Sequence, residues 1–243
     1  MISVFRKLRK KFFSNKLSSY LLYAIGEIAL VMIGILLALY VNNWNEERKL
    51  KSNINNTLVT VAYDLEADTL SASTIIEFYK TNLENSKRVI KGEINKDNYM
   101  ECLACLNLVT IYQPFTTQNK GFEQLKNLTE QSNSKKDSLI ADITRFYSVY
   151  TPMVEKNNNR METIVMKNFN DFEKFPWFLD LAQNNLTDEI ITYYTESDDY
   201  KRRVASHAML AATNNLAITQ QYKEDATELI ERIYSRLANS KLR

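Results

Sequence analysis

Residues 20–41 (YLLYAIGEIALVMIGILLALYV) limit the possible folds of this chain more than any other feature. As a helix this stretch is about 33 Å long, which matches the hydrocarbon core of a bilayer at about 30 Å. Its single charged residue is Glu27, and an ionisable side chain at this depth is costly. The sequence therefore predicts one membrane-spanning helix that carries an unusual carboxylate.

A cleaved signal peptide is the competing interpretation of this stretch. Such a peptide has an apolar region of only about 7–15 residues and ends at a cleavage site of small residues. Here the apolar run is longer and leads directly into Tyr40, Asn42 and Trp44. The pattern favours an uncleaved anchor.

The distribution of lysine and arginine predicts the orientation. Six basic residues and no acid precede the span: Arg6, Lys7, Arg9, Lys10, Lys11 and Lys16. Beyond it Arg48 and Lys49 stand beside Glu46 and Glu47, so the positive charge is diluted there. The positive-inside rule then places residues 1–19 at the cytoplasmic face, 20–41 in the membrane and 42–243 outside. The basic segment is either an interfacial helix on anionic lipid or a simple topology signal, with Trp44 at the opposite interface.

Glu27 shares one helical face with small residues. Tyr23, Glu27, Gly34 and Ala38 recur at spacings that keep them on one side of a helix, and Gly34 and Ala38 form a small-xxx-small pair. This pattern predicts contact between copies of the helix or with the membrane helix of another protein. Two alternatives stay open, namely a protonated glutamate close to the interface and a proton-relay carboxylate.

The rest of the chain predicts an all-α fold. Only four glycines and three prolines occur, far fewer than a β-rich body needs for its turns. Apolar residues at spacings of three and four predict helices up to Gly92, over 95–112, over 122–130, from a cap at Ser134 with a kink at Pro152, and over 197–239. We expect a single antiparallel helical bundle beyond the anchor.

Few residues in this body point to chemistry. Cys102 and Cys105 form a C-x-x-C motif whose flanks predict a helix interior, so buried thiols come first and a local disulfide second. His207, the only histidine, fits the edge of the core, and a zinc site lacks ligands. An aromatic cluster predicts a hydrophobic lid or, less often, a ligand groove: Phe169, Phe172, Phe175, Pro176, Trp177 and Phe178. The sequence predicts no enzyme, no cofactor and no metal.

The string YLLYAIGEIALVMIGILLALYVNNWNEERK resembles the signature of a bacterial family of single-pass membrane proteins, domain of unknown function 6090. A looser likeness continues through Gln113-Pro114-Phe115, Phe122-x-x-Leu125-Lys126 and Phe146-Tyr147. The resemblance implies an inner-membrane protein with an extracytoplasmic body, and it implies no activity. It also places several residues in the family pattern: Gly26, Glu27, Gly34, Asn42, Asn43 and Trp44.

Together these features predict a non-enzymatic protein of the bacterial inner membrane. Its helical, coiled-coil-like body in the periplasm would bind or scaffold a partner, and the membrane helix would form a homo-oligomer or contact another membrane protein. The alternatives are a bundle that senses a small molecule through a separate transducer, and a subunit of an ion-translocating complex that uses Glu27. No basic patch outside the N-terminus suggests nucleic acid.

Overall fold

The computed structural model describes residues 15–130 and 137–241, and within these ranges it contains helices and no strand. In chain order the elements are α1 (Asn15–Ile90), a 3₁₀ helix (Tyr99–Leu106), α2 (Lys120–Glu130), α3 (Ser138–Phe172), α4 (Phe178–Ala182), α5 (Asp188–Glu196), α6 (Asp198–Leu210), a π-helical turn (Ala211–Leu216) and α7 (Ala217–Lys241). The predicted all-α fold is confirmed.

Helix α1 is 76 residues long and ends where the sequence predicts. Lys87 and Arg88 lie in its last turn, where cations favour the helix dipole. Gly92 then adopts a left-handed conformation with φ of 72°. Its N–H donates to the carbonyl of Val89 (3.0 Å) and the N–H of Glu93 to that of Arg88 (2.9 Å), which is the Schellman arrangement. Glycine is favoured here because the turn needs a positive φ.

The chain divides into two compact units, Met1–Asn53 and Ile54–Arg243. In the first unit, the described side chains from Tyr20 to Trp44 are all exposed. The second unit holds the hydrophobic core. There α1 buries one apolar stripe, and its fully covered members include Leu58, Val61, Leu65, Ala72 and Tyr79.

Ion pairs and buried contacts show how the long helices of the bundle run. Asp142 and Asp171 on α3 bind Arg232 and Arg203, so α3 is antiparallel to α6–α7. Likewise Asp68 near the start of the bundle portion of α1 binds Tyr222, whereas Val89 at its end packs in one cluster with Val204. Helices α6–α7 therefore run antiparallel to both α1 and α3, which confirms the predicted antiparallel bundle. Since α1 and α3 point the same way, the chain between them must travel back along the bundle.

Two local predictions differ from the structure. A helix over 95–112 is wrong, because only the 3₁₀ helix forms and Cys102 inside it has extended, non-helical angles (φ −143°, ψ 68°). The observed cap of α3 is Asp137, whose carboxylate accepts from the N–H groups of Leu139 and Ile140. The predicted cap, Ser134, lies outside the described residues. Helix α3 continues through Pro152 as one element.

The predicted final helix is present with one irregularity. Ser197 caps α6 by accepting from the N–H of Asp199 (3.1 Å). The π-helical turn then separates α6 from α7 without ending the helical path. Such turns insert one extra residue per turn and re-aim the side chains that follow. Asn215 in this turn is buried.

Candidate functional site

The membrane-length helix is the first candidate site. Within the described residues, α1 is the one helix apolar and long enough to cross a bilayer by length and composition, and none of its apolar window is buried. Glu27 makes no hydrogen bond or ion pair with any described residue. A Cβ built on Gly34 meets no atom within 4 Å. The face of Tyr23, Glu27, Gly34 and Ala38 is therefore open along its described length.

The ends of the predicted span carry polar and aromatic side chains. The Arg48 guanidinium lies 5.4 Å from the ring centroid of Trp44, a cation–π contact. The Asn42 amide donates to Glu46 (3.3 Å). Of the predicted basic interfacial residues, Arg6, Lys7, Arg9, Lys10 and Lys11 lie outside the described residues. Lys16 lies at the start of α1, and its side chain is outside the described part of the structure.

A second candidate site lies inside the bundle, around residues 107–119, which we call the strap. The strap has neither helix nor strand, so its backbone must find partners among side chains. Asn168 donates to the carbonyl of Val109 (3.1 Å) and Tyr79 to that of Gln113 (3.0 Å). These contacts begin the return path along α1 and α3.

The middle of the strap is bound by one asparagine. Asn158 on α3 donates to the carbonyl of Phe115 (2.6 Å) and accepts from its N–H (3.3 Å), so a single amide replaces a β-sheet partner. The same Asn158 oxygen accepts from Asn215 of the π-helical turn at 3.5 Å. Phe115 is itself buried and packs edge-on against Tyr222, with ring centroids 4.9 Å apart.

The strap ends on two buried carboxylates of α1. Asp68 accepts from the N–H of Gln118 (3.1 Å) and from the hydroxyl of Tyr222 (2.5 Å). One turn earlier, Asp64 accepts from the N–H of Gly121 (2.6 Å). A Cβ at Gly121 would lie 2.6 Å from the Val61 nitrogen, so only glycine fits where α2 crosses α1. Both residues are buried, with Asp64 3% exposed and Asp68 1% exposed.

Burial changes the pKa of Asp68. Desolvation raises the pKa of Asp68 to about 6, partly opposed by the hydrogen bonds from Tyr222 and Gln118, and the neighbouring Asp64 raises it further. Burial also raises the pKa of Tyr147, whose hydroxyl has no partner among the described residues. Asp68 is thus a proton-binding group in the range of neutral to mildly acidic pH. The arrangement binds the backbone of the strap and of the start of α2.

Asp64 and Asp68 are not among the predicted site residues, although the sequence carries a signal for them. Both fall four residues apart within the apolar stripe of α1, beside Val61 and Leu65. Acidic residues at core positions of an amphipathic helix indicate buried hydrogen-bonded sites. The apolar stripe of α1 is enough to identify these two positions as buried. Their hydrogen-bond donors lie in segments that are distant in sequence and do not follow from the stripe.

Cys102 and Cys105 form a disulfide within the 3₁₀ helix, and both are buried. The favoured interpretation of buried free thiols is right about the burial and wrong about the thiols, and the second interpretation, a local disulfide, matches the structure. The Tyr200 hydroxyl donates to the carbonyl of Cys105 (2.5 Å), which fixes this element against α6.

His207 is completely buried rather than at the core edge. Burial lowers its pKa to about 4, so the ring is neutral at neutral pH. Among the described residues, no group of three or more histidine, cysteine or acidic side chains is placed to hold a metal.

No protein-family model, curated protein or solved structure matches this chain. The resemblance to domain of unknown function 6090 therefore stays a prediction carried by residues 20–49.

Proposed function

We propose that this chain is a non-enzymatic, single-pass protein of the bacterial inner membrane that self-associates through its membrane helix. Its N-terminus lies in the cytoplasm and its helical bundle in the periplasm, where it serves as an interaction module for a partner protein. One observation carries the proposal: the face of Tyr23, Glu27, Gly34 and Ala38 is exposed, and its carboxylate has no partner among the described residues.

The energetics of the membrane support self-association through this face. A glutamate in hydrocarbon needs a hydrogen-bond partner or a route to water, and a second copy of the helix supplies another Glu27 at the same depth. Gly34 and Ala38 allow two backbones to approach closely, which strengthens van der Waals contact and shortens polar contacts between helices. The Glu27 side chains of the two copies then lie at the same depth and within reach of a polar contact with each other.

Two further observations support the orientation. The Cys102–Cys105 disulfide is typical of an oxidising compartment such as the periplasm, and rare in the cytosol. The basic residues cluster before the span, as the positive-inside rule requires for a cytoplasmic N-terminus. Tyr20, Tyr40 and Trp44, all exposed, stand near the ends of the apolar stretch where aromatic rings favour the interface.

Native mass spectrometry of the full chain released from lipid nanodiscs tests the self-association. We expect oligomers for the natural chain and a shift to monomer for Gly34→Ile, whose side chain would hold the two backbones apart. Gly26→Ile is the matched control, because Gly26 is equally open but falls on another face of the helix. A monomeric natural chain, or equal loss of oligomer in both variants, would rule out this interface.

Protease protection tests the orientation. In intact spheroplasts, added protease should digest the bundle and leave a short N-terminal fragment within the membrane. Digestion that occurs only after the inner membrane is permeabilised would place the bundle in the cytoplasm and overturn the proposed topology.

A further inference from the structure

A pocket of about 360 Å³ opens in the bundle beside the disulfide-closed 3₁₀ helix. The 3₁₀ helix, the end of α3, and the α4–α5 region supply its walls. Its main apolar and aromatic lining consists of Leu103, Leu106, Phe169, Phe172, Phe178 and Tyr194. Leu103 and Phe169 are 51% and 40% exposed, so the mouth is open to solvent.

The residues that line the pocket indicate whether a ligand would be charged or uncharged. None of the eleven residues that line the pocket is charged. One cation packs against this wall: the Arg203 guanidinium lies 5.6 Å from the Phe172 ring centroid. Arg203 is already bound to Asp171 (2.9 Å) and Asp199 (2.8 Å). An ionic ligand would lose its hydration here without gaining a counter-ion, so the site favours an uncharged one.

Tyr194 supplies a directional polar group. Its side chain is 3% exposed, and its hydroxyl makes no hydrogen bond with any described residue. The oxygen itself is not among the fully covered polar atoms that lack a partner, so it stays accessible from the open side of the pocket. Burial raises the pKa of Tyr194 well above its ordinary value, so the hydroxyl keeps its proton at neutral pH and remains a donor.

The volume sets the size of the ligand. A dry apolar cavity of about 150 Å³ holds one benzene ring. A pocket of about 360 Å³ therefore accepts a molecule of about two fused rings. The aromatic walls favour a flat ring system, because stacked and edge-on contacts add to the apolar burial.

We propose that this pocket binds a small, uncharged, flat apolar molecule whose single hydrogen-bonding group meets the Tyr194 hydroxyl. The site is independent of the membrane face through which the chain self-associates. It gives the bundle a ligand-binding role in addition to its role as an interaction module.

Equilibrium dialysis of the full chain in lipid nanodiscs tests the site with 2-naphthol as probe. Empty nanodiscs are subtracted, because the probe also partitions into lipid. We expect saturable binding of one molecule per chain for 2-naphthol and at least about tenfold weaker binding of naphthalene-2-sulfonate, which has the same rings and a fixed charge. No saturable binding of 2-naphthol up to about 1 mM, or equal binding of the sulfonate, would overturn the proposal.

Two substitutions locate the binding. Leu103→Trp fills the mouth and should weaken 2-naphthol binding by at least about tenfold. Leu179→Trp is the matched control, because Leu179 is 72% exposed on α4 and does not line the pocket. Equal effects of the two, or no effect of either, would place the probe elsewhere and overturn the site.

A third variant tests the polar contact. Tyr194→Phe removes only the hydroxyl, and since that hydroxyl holds no other group, the fold should be preserved. We expect about three- to tenfold weaker binding of 2-naphthol and unchanged binding of naphthalene, which lacks a hydroxyl. Unchanged binding of both would remove Tyr194 from the proposal, and the claim of a directed hydrogen bond would be wrong.

Discussion

Helix α1 carries acidic side chains in two apolar regions, and these side chains differ in their burial and in their hydrogen-bond partners. In the bundle, Asp64 and Asp68 are buried and accept from two backbone N–H groups and a tyrosine hydroxyl. In the predicted membrane span, Glu27 is exposed and has no partner among the described residues. The carboxyl group therefore has hydrogen-bond partners within the chain in the bundle. In the predicted span it is exposed and available to another molecule.

The difference shows what each region is built for. A buried carboxylate is tolerated when donors offset the cost of its desolvation, and the strap supplies those donors. In the bundle, these two carboxylates therefore need no hydrogen-bond donor from another molecule. The face of Tyr23, Glu27, Gly34 and Ala38 has no such partners among the described residues, and in the proposed oligomer a second helix would supply its contacts.

The largest expected effect is the loss of bundle stability when Gly121 is replaced by alanine, and the same substitution at Gly26 is its comparison. Gly121→Ala would place a Cβ 2.6 Å from the Val61 nitrogen and strain the bond from Gly121 to Asp64. We expect a loss of about 3 kcal/mol in the free energy of unfolding of the bundle, measured by circular dichroism in urea. Gly26→Ala, with open space around its Cβ, should change it by less than about 0.5 kcal/mol. Similar losses in both would break the comparison.

The next effect is a pH dependence from Asp68. Its pKa is about 6 in the folded chain against 3.8 for a free aspartate, so its contribution to stability is full below the lower value and lost as pH rises through the higher. We expect the bundle to lose about 2 kcal/mol from this group between pH 4 and pH 8, allowing for screening by solvent. Urea unfolding at a series of pH values measures it.

Asp68→Asn should remove this part of the pH dependence. Asp142→Asn is the control, because Arg232 lowers the pKa of Asp142, and the loss of stability as pH rises through the pKa of Asp68 should persist in that variant. An Asp68→Asn bundle that keeps the natural pH slope would show that Asp68 ionises as freely as an exposed carboxylate.

A smaller effect is expected from the disulfide, which belongs to the bundle alone. Replacing Cys102 and Cys105 together by serine reopens a very short loop, so the expected loss is about 1–2 kcal/mol. A reductant should lower the urea midpoint of the natural chain and leave the double variant unchanged. If the double variant responds equally, the reductant acts on something other than this bond.

The smallest effect sharpens the contrast between the regions. Glu27→Gln should change the free energy of unfolding of the bundle by less than about 0.5 kcal/mol, since Glu27 makes no hydrogen bond or ion pair with a described residue. Its effect should appear in the oligomeric state instead. A clear loss of bundle stability would show that Glu27 has a structural partner in the chain.

Much of the fold was predictable because its signals are local. Helix α1, its stop at Gly92 and the final helical segment follow from apolar spacing, and glycine scarcity excludes a β-rich body. The cap of α3 was placed three residues early, since Ser134 and Asp137 both fit a cap. Only the N–H groups that Asp137 binds distinguish them.

The strap and its carboxylates could not be predicted from local pattern. Gln118 and Asp68 are separated by 50 residues, and Asp68 and Tyr222 by 154. The local pattern predicts a helix interior for Cys102 and Cys105, whereas Cys102 adopts non-helical backbone angles and the two residues lie in a 3₁₀ helix. Such positions depend on tertiary contacts that outweigh helix propensity.

The strap also sets an order of assembly during synthesis. Its end is held by Asp68, whose own partner Tyr222 lies on the last described helix, α7. Until that helix has emerged, the apolar stripe of α1 and the inner side of the strap stay uncovered and open to aggregation. The bundle therefore closes only after α7 has been made, and a holding chaperone that binds α1 during that interval would raise the yield of folded protein.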